Sequence, residues 1–207
     1  MFTGIVQTIA RVFSINVTNE SIGLIIEVDS EYAQQLTLGA SIAINGVCLT
    51  VVEHSEKSEG ISHISFDVIH ETMRVTNLKD LVSGSFVNFE RSLKVGDEIG
   101  GHQVSGHVHT TATLIDRTET DENCTLSFQL SDNWQKYIFE KGFISINGTS
   151  LTLGTVENGK FDVHLIPETL SRTNLSELAK GYVVNIEIDQ QTMTIVDTLS
   201  RMNLVAK

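Results

Sequence analysis

The sequence is short of positive charge. Of its 207 residues 14 are Lys or Arg, against 26 Asp and Glu, for a net charge of −12. Such a chain is repelled by phosphate backbones and anionic lipid heads unless its basic residues cluster, and no basic run is present, which argues against nucleic acid and membrane surfaces as partners. Cysteine is equally scarce. Cys48 and Cys124 lie in different halves and unlike contexts, which argues against a disulfide framework or a cysteine-based metal site and fits a reducing compartment. No stretch approaches the ~18 uninterrupted apolar residues that span a bilayer. Met1-Phe2-Thr3-Gly4 lacks the basic and apolar regions of a secretory leader, so a soluble cytoplasmic protein is expected.

What the sequence does contain is a long internal repeat. Ile42-Ala43-Ile44-Asn45-Gly46-Val47-Cys48-Leu49-Thr50-Val51 returns at an offset of 102 as Ile144-Ser145-Ile146-Asn147-Gly148-Thr149-Ser150-Leu151-Thr152-Leu153. At the same offset Thr3-Gly4-Ile5-Val6 matches Ser105-Gly106-His107-Val108, and Tyr32 matches Trp134. The offset then slips to 97: Glu71-Thr72 and Thr76-Asn77-Leu78 recur as Glu168-Thr169 and Thr173-Asn174-Leu175, and Val87-Asn88-Phe89-Glu90 as Val184-Asn185-Ile186-Glu187. Two copies at so long a period argue for tandem domains of one fold, not a solenoid, and the length allows one or two domains of about 100–200 residues.

The local pattern is β. Runs rich in Val, Ile, Phe and Thr at 22–28, 41–52, 61–69, 85–90, 112–117, 125–130, 143–153, 160–166 and 182–188 are separated by Gly, Asn, Asp and Ser. About six strands per half suit a small closed barrel, which leaves no exposed sheet edge. Short helices are predicted at 31–36, capped by Asp29-Ser30, and at 133–139, capped by Asp132. The tail 194–207 has no counterpart in the other half. It places Ile195, Leu199 and Met202 at helical spacing, which fits either a helix packed on its own domain or, the reading favoured here, a helical seam between subunits.

Several residues have plain structural readings. Cys48 on a strand suits a small buried apolar position. His102 after Gly100-Gly101 suits a linker between barrels. His107 and His109 share a strand face, but no third or fourth ligand lies nearby, so no metal is expected. Asn45-Gly46 and Asn147-Gly148 mark tight hairpin turns.

Taken together and in this order, Met1-Phe2-Thr3-Gly4-Ile5-Val6, Asn45-Gly46-Val47-Cys48-Leu49-Thr50, Gly100-Gly101-His102-Gln103-Val104-Ser105-Gly106-His107 and Leu165-Ile166-Pro167-Glu168-Thr169-Leu170 resemble the riboflavin synthase family over essentially the whole chain. The resemblance implies an all-β protein of two tandem, sequence-related six-stranded β-barrels plus a C-terminal helix. The divisions are 1–97 and 98–189 for two lumazine-binding barrels and 190–207 for a trimerising helix. It further implies a homotrimer with sites between subunits and a transferase that dismutates two molecules of 6,7-dimethyl-8-ribityllumazine. No metal or organic cofactor is implied, and some relatives dock in a lumazine synthase shell.

The two substrate molecules play different roles, so the repeat is expected to break where the chemistry lies. Cys48 becomes Ser150, Gly39 becomes Lys141, Ser92 becomes Asp189, and His102 has no counterpart beyond the chain start near Met1. The catalytic set implied is His102, Cys48, Ser150, Thr152 and Asp189. His102 is the natural base for the acidic 7-methyl group. Thr152 and Ser150 are hydrogen-bonding groups, Ser150, Cys48 or water is the nucleophile at ring carbon 7, Asp189 is an orienting group, and Lys141 stabilises negative charge. The resemblance implies substrate contacts at Gly4, Ile5, Val6, Cys48, Leu49, Thr50, Asp67, Val68, Ile69, His70, Glu71 and Thr72 in the first barrel. In the second it implies Gly101, His102, Gln103, Lys141, Ser150, Leu151, Thr152, Ile166, Pro167, Glu168, Thr169, Leu170 and Ser171. The chain departs from the family pattern at Asn147, where some members carry Asp, and His70 receives no catalytic role.

Three other protein classes share parts of this pattern. A lumazine protein, an optical antenna of the same fold, has the Ser-Leu-Thr and Gly-Gly-His segments altered, whereas Ser150-Leu151-Thr152 and Gly101-His102 both stand here. A flavin reductase barrel is expected to be followed by a nicotinamide-binding domain, which these residues do not contain. A purely structural module leaves the polar residues matched in both copies unexplained.

Overall fold

The computed structural model describes residues 1–18, 21–58, 60–120 and 123–204. The first six strands are β1 (Thr8–Val17), β2 (Ser21–Asp29), β3 (Ser41–Ile44), β4 (Val47–Ser58), β5 (Ile61–Ile69) and β6 (Phe86–Arg91), with the short helix α1 (His70–Val75) after β5. They close in the order β1-β2-β5-β4-β3-β6. The second set is β7 (Thr110–Glu119), β8 (Cys124–Gln129), β9 (Phe143–Ile146), β10 (Thr149–Glu157), β11 (Lys160–Leu165) and β12 (Val183–Ile188), with α2 (Pro167–Arg172) after β11. It closes as β10-β11-β8-β7-β12-β9, which is the first order read in the opposite direction from another starting strand.

Both barrels close because alternate residues along each strand are apolar and turn inward. Val12, Ile26, Ile44, Ile64, Phe66, Val87 and Phe89 fill the first interior, and Leu114, Leu126, Phe128, Ile144, Ile146, Phe161 and Val163 fill the second. Truncating a fully buried ring such as Phe66 to alanine costs about 3–5 kcal/mol.

The runs predicted at 41–52 and 143–153 are each two strands, split at the Asn-Gly pair. Asn45 and Gly46 both have positive φ, as do Asn147 and Gly148, which is the backbone of a two-residue hairpin matched to strand twist. The slip from 102 to 97 arises in the next hairpin, where β4 and β5 run longer than β10 and β11.

Two helix expectations are corrected. The segments predicted helical at 31–36 and 133–139 are short 3₁₀ helices, Ser30–Ala33 and Asp132–Tyr137. Neither has a side-chain cap from Asp29 or Asp132, and each gives way to extended backbone at Gln34 or Ile138. The tail helix α3 spans Gln190–Arg201, beginning four residues before the predicted start. Residues 205–207 of the predicted helix lie outside the described residues.

α3 answers the packing question on both of its faces. Met193 and Val196 rest on the second core, and the Asp197 carboxylate accepts from the Tyr137 hydroxyl at 2.6 Å and pairs with Lys136 at 3.3 Å. Ile195, Leu199 and Met202 stay exposed.

Candidate functional site

The site is built around a pseudo-twofold axis between the barrels. Phe2 and Val104 pair across it, each backbone nitrogen donating to the other's carbonyl at 2.8 and 3.0 Å. Nearby the Asn-Gly hairpins of the two barrels meet. The Asn88 amide donates to the Asn147 carbonyl at 2.8 Å, and the Asn185 amide donates to the Asn45 carbonyl at 2.9 Å. Asn174 N donates to Asn88 Oδ1 and Asn77 N to Asn185 Oδ1, both at 2.7 Å. Six buried asparagines thus tie each hairpin to the opposite barrel, because an amide supplies both donor and acceptor. Asn147, the departure from the family pattern, belongs to this lattice. Its Oδ1 accepts from Asn185 N and Asn77 Nδ2, and its Nδ2 donates to Asn174 Oδ1 at 3.4 Å.

Two arms cross at the axis. The Gly4 carbonyl, at the amino-terminal end, accepts from Ser150 N of the second barrel at 2.8 Å, and the Gly106 carbonyl accepts from Cys48 N of the first at 2.9 Å. The grouping expected from sequence is therefore corrected: residues 4–6 line the second barrel, not the first. They share a hollow of about 250 Å³ with Thr149, Ser150, Glu168, Thr169 and Arg172.

A carboxylate anchors each arm at its root. Glu90 accepts from Thr3 N at 2.7 Å, Thr3 Oγ1 at 2.9 Å and Gly4 N at 3.2 Å. Glu187 accepts from Ser105 N, Ser105 Oγ and Gly106 N at 2.7, 2.8 and 2.9 Å. Burial pushes both carboxyls up from their ordinary range, and the donated hydrogen bonds pull them partly back. Sequence reasoning missed both anchors, although the repeated Val-Asn-x-Glu segments carried the signal.

Where symmetry breaks, His102 meets Ser150. The imidazole Nδ1 lies 2.6 Å from Ser150 Oγ, and the ring stacks on Phe143 with centroids 5.0 Å apart. His102 is buried, which pushes its pKa below the ordinary imidazole value, with the Asp189 charge pulling the other way. The ring is therefore neutral near pH 7, as a proton acceptor must be. Asp189 itself caps α3, accepting from Thr192 N at 2.8 Å and Thr192 Oγ1 at 2.7 Å. It touches His102 through its charge and through no described hydrogen bond.

Strand alternation sorts the remaining residues. Cys48 and Thr50 project outward from β4, as Ser150 and Thr152 do from β10, while Leu49 and Leu151 point into the cores. Val68 is buried in the first core, so its contribution to a ligand is limited to backbone. Asp67, Ile69, His70, Glu71, Ile166, Pro167, Glu168 and Ser171 are exposed, and Thr72, Thr169 and Leu170 half-buried, around the starts of α1 and α2. Gly101 packs against Ser150 and the Thr3 carbonyl.

Gln103 opens onto a separate cleft of about 690 Å³ with Met1, His107, Asp189 and α3. Lys141 is exposed at the turn into β9, with positive φ like Gly39 at the equivalent place. Cys48 lies beside the Gly106 arm and the Phe2, Ala43 and Val104 cluster, so the structure groups His102 with Ser150 and leaves Cys48 at the other arm. His109 Nδ1 accepts from Ile188 N at 3.1 Å.

The lumazine binding domain model matches residues 3–92 and again 105–189. Riboflavin synthase of Escherichia coli K12 is 47% identical over 203 residues, covering 98% of this chain and 93% of its own. Riboflavin synthase of Chlamydia pneumoniae is 42% identical over 202 residues, covering 98% and 96%. Among solved structures, LumP complexed with riboflavin superposes with a TM-score of 0.83 at 26% identity, covering 92% of this chain and all of the other. Two barrels of one order, arms exchanged over their outward polar strands, and relatives matched along nearly their full length have one explanation: the chain belongs to the riboflavin synthase family.

Proposed function

We propose that the protein is a transferase that converts two molecules of 6,7-dimethyl-8-ribityllumazine into riboflavin and 5-amino-6-(D-ribitylamino)uracil by moving a four-carbon unit from one to the other, the final step of riboflavin biosynthesis. The observation that carries this reading is the pair of equivalent outward faces, Cys48 with Thr50 and Ser150 with Thr152, each crossed by an exchanged arm. Two copies of one substrate ask for two copies of one site. Holding both converts a bimolecular step into an effectively unimolecular one, a contribution of about 7–11 kcal/mol at best.

The asymmetry supplies the chemistry. In the tautomer whose Nδ1–H donates to Ser150 Oγ, Nε2 of the neutral His102 is the bare nitrogen that takes a proton from the 7-methyl group. The Ser150 and Thr152 hydroxyls hydrogen-bond the ring or its developing anion, and Cys48 or Ser150 adds at ring carbon 7 of the acceptor. Lys141 and Asp189 act through charge. The residues expected at 4–6, 48–50, 67–72, 101–103, 150–152 and 166–171 hold the pterin edges and ribityl hydroxyls. The working division is two barrels at 1–97 and 98–189 and a tail at 190–207, with each arm serving the opposite barrel.

The same reading places the protein in the cytoplasm as a homotrimer. The exposed face of Ile195, Leu199 and Met202 on α3 supports a seam between copies. The exposure of Thr50 and Thr152 supports sites closed by a neighbouring subunit. A lumazine synthase shell is the associated partner proposed.

The test is an absorbance time course with purified protein, 6,7-dimethyl-8-ribityllumazine and a chelator. One riboflavin per two lumazines consumed is the expected result. Tight binding with a fluorescence change and no riboflavin would assign a chromophore carrier instead.

A further inference from the structure

The two copies each carry a Glu-Arg ion pair on the short helix that follows their fifth strand, made from different helical positions. In α1, Arg74 Nε and Nη2 donate to the Glu71 carboxylate at 2.9 and 2.6 Å, a fork closed at i,i+3. In α2, Arg172 Nε donates to Glu168 at i,i+4. At the repeat offset the counterpart of Arg74 is Ser171 and that of Arg172 is Val75. The arginine has therefore shifted by one residue between the copies while the ion pair stands in both.

Folding stability does not account for the pair. All four side chains are largely exposed, and exposed pairs on a helix contribute little. Each pair also sits on a helix of six residues whose main anchor is the buried Thr76 or Thr173 beyond it, bonding back to Thr72 O and Thr169 O. Position is the more informative fact. Glu168, Thr169 and Arg172 line the same hollow as residues 4–6 and Ser150.

We infer that Arg172 and Arg74 are positioning residues that hold the Glu168 and Glu71 carboxylates in a single rotamer, so that each presents its unfilled lone pairs to the hydroxyl-rich side chain of a bound substrate. This rests on the lumazine-binding reading of the two faces. A planar guanidinium suits the task because it fills one edge of a carboxylate and leaves the other open, which the rotating ammonium of lysine does not do. Neither arginine touches the reacting ring in this arrangement, so its loss weakens capture of substrate and leaves the chemical step alone. Because the pairs belong to different barrels, the two losses are independent of one another.

The experiment measures kcat and KM for 6,7-dimethyl-8-ribityllumazine, and riboflavin affinity by fluorescence quenching, for the unmodified protein, Arg172→Gln, Arg74→Gln, Arg172→Lys, Glu168→Gln and the double variant Arg172→Gln with Glu168→Gln. Arg172→Gln is expected to raise KM and the riboflavin Kd about tenfold with kcat within about twofold, as for one lost charge-assisted contact. Arg172→Lys is expected to recover only part of this. Adding Arg172→Gln to Glu168→Gln should cost little further, since the arginine acts through the carboxylate. An unchanged KM and Kd in Arg172→Gln, full recovery by lysine, or additive losses in the double variant would overturn the inference. If the unmodified protein binds riboflavin without making it, the transferase reading fails alone, and the Kd series still decides the role of the arginines. If it neither turns over nor binds, both readings fail.

Discussion

Gly46 and Gly148 touch backbone to backbone at the pseudo-twofold axis. A Cβ built on Gly46 would stand 2.5 Å from the Gly148 nitrogen, and one on Gly148 would stand 2.7 Å from the Gly46 nitrogen. Both glycines have positive φ, 77° and 81°. The turn thus requires glycine for its conformation, and the contact requires it again for space.

Gly148→Ala is expected to destabilise the fold by about 3 kcal/mol or more, since backbone strain and a backbone clash add. Gly181→Ala is the control. It shares the positive φ, 91°, with nothing within 4 Å of its Cβ, and should cost only about 1–2 kcal/mol. Denaturant midpoints for the two variants check the difference.

Asn88→Ala removes an amide whose Nδ2 serves the Asn147 carbonyl and whose Oδ1 serves Asn174 N. Two buried groups then lose their partners, at about 1–3 kcal/mol each. Chemical denaturation of Asn88→Ala and Asn185→Ala should give similar losses, because Asn185 makes the mirrored bonds to Asn45 O and Asn77 N.

Burial sets the folded-state pKa of His102 below the ordinary 6.5. Between the two values the unfolded chain binds more protons, so this residue contributes stability that is full above 6.5 and is lost as pH falls through the window. The acid limb of kcat/KM should likewise lie below 6.5, and His102→Gln should remove it. A limb at or above 6.5 in the unmodified enzyme would point to another base.

His102→Gln should lower kcat by about 10²–10⁴-fold, the range for a lost general base, with riboflavin affinity nearly unchanged. Cys48→Ser should also lower turnover more than binding. Full turnover in both variants would reject the catalytic assignments even with the family correct.

Ile195→Asp together with Leu199→Glu should dissociate the proposed trimer without unfolding the barrels, because neither side chain is part of the second core. Light scattering gives the mass, and circular dichroism checks the fold. A trimer surviving both substitutions would place the subunit seam elsewhere.

Much of this fold was legible because the repeat printed its own turns: the Asn-Gly pairs at 45–46 and 147–148 mark hairpins that the structure retains. β1 went unread, since of Thr8–Val17 only Ala10 and Val12 are fully buried, and alanine gives a weak apolar signal. The 3₁₀ turns looked like helices because their apolar spacing covers barely one turn. Residue types cannot show that Gln35, with φ of 54°, leaves the helical region. The arm exchange was invisible for a deeper reason. Its bonds run from Ser150 N to Gly4 O and from Cys48 N to Gly106 O, and backbone pairing marks side-chain identity only through the matched glycines, Gly4 and Gly106, which do not say what they pack against. His102 was legible as chemistry, but its partner Ser150 was legible only as a break in the repeat.

Exchange of the arms has a bearing on how the chain is made. On the ribosome, β1 through β6 emerge first and can close, yet the Cys48 edge waits for Gly106, and the Gly4 arm waits until Ser150 is out. At about 5–20 residues per second, the Gly4 arm, already held at its root by Glu90, leaves its Gly4 carbonyl without the Ser150 partner for several seconds after the first barrel has formed. Gly106 is out before β7 begins, but Glu187, the carboxylate that holds its arm, arrives only with β12, so both faces are fixed late, one when Ser150 is made and the other when the second barrel closes.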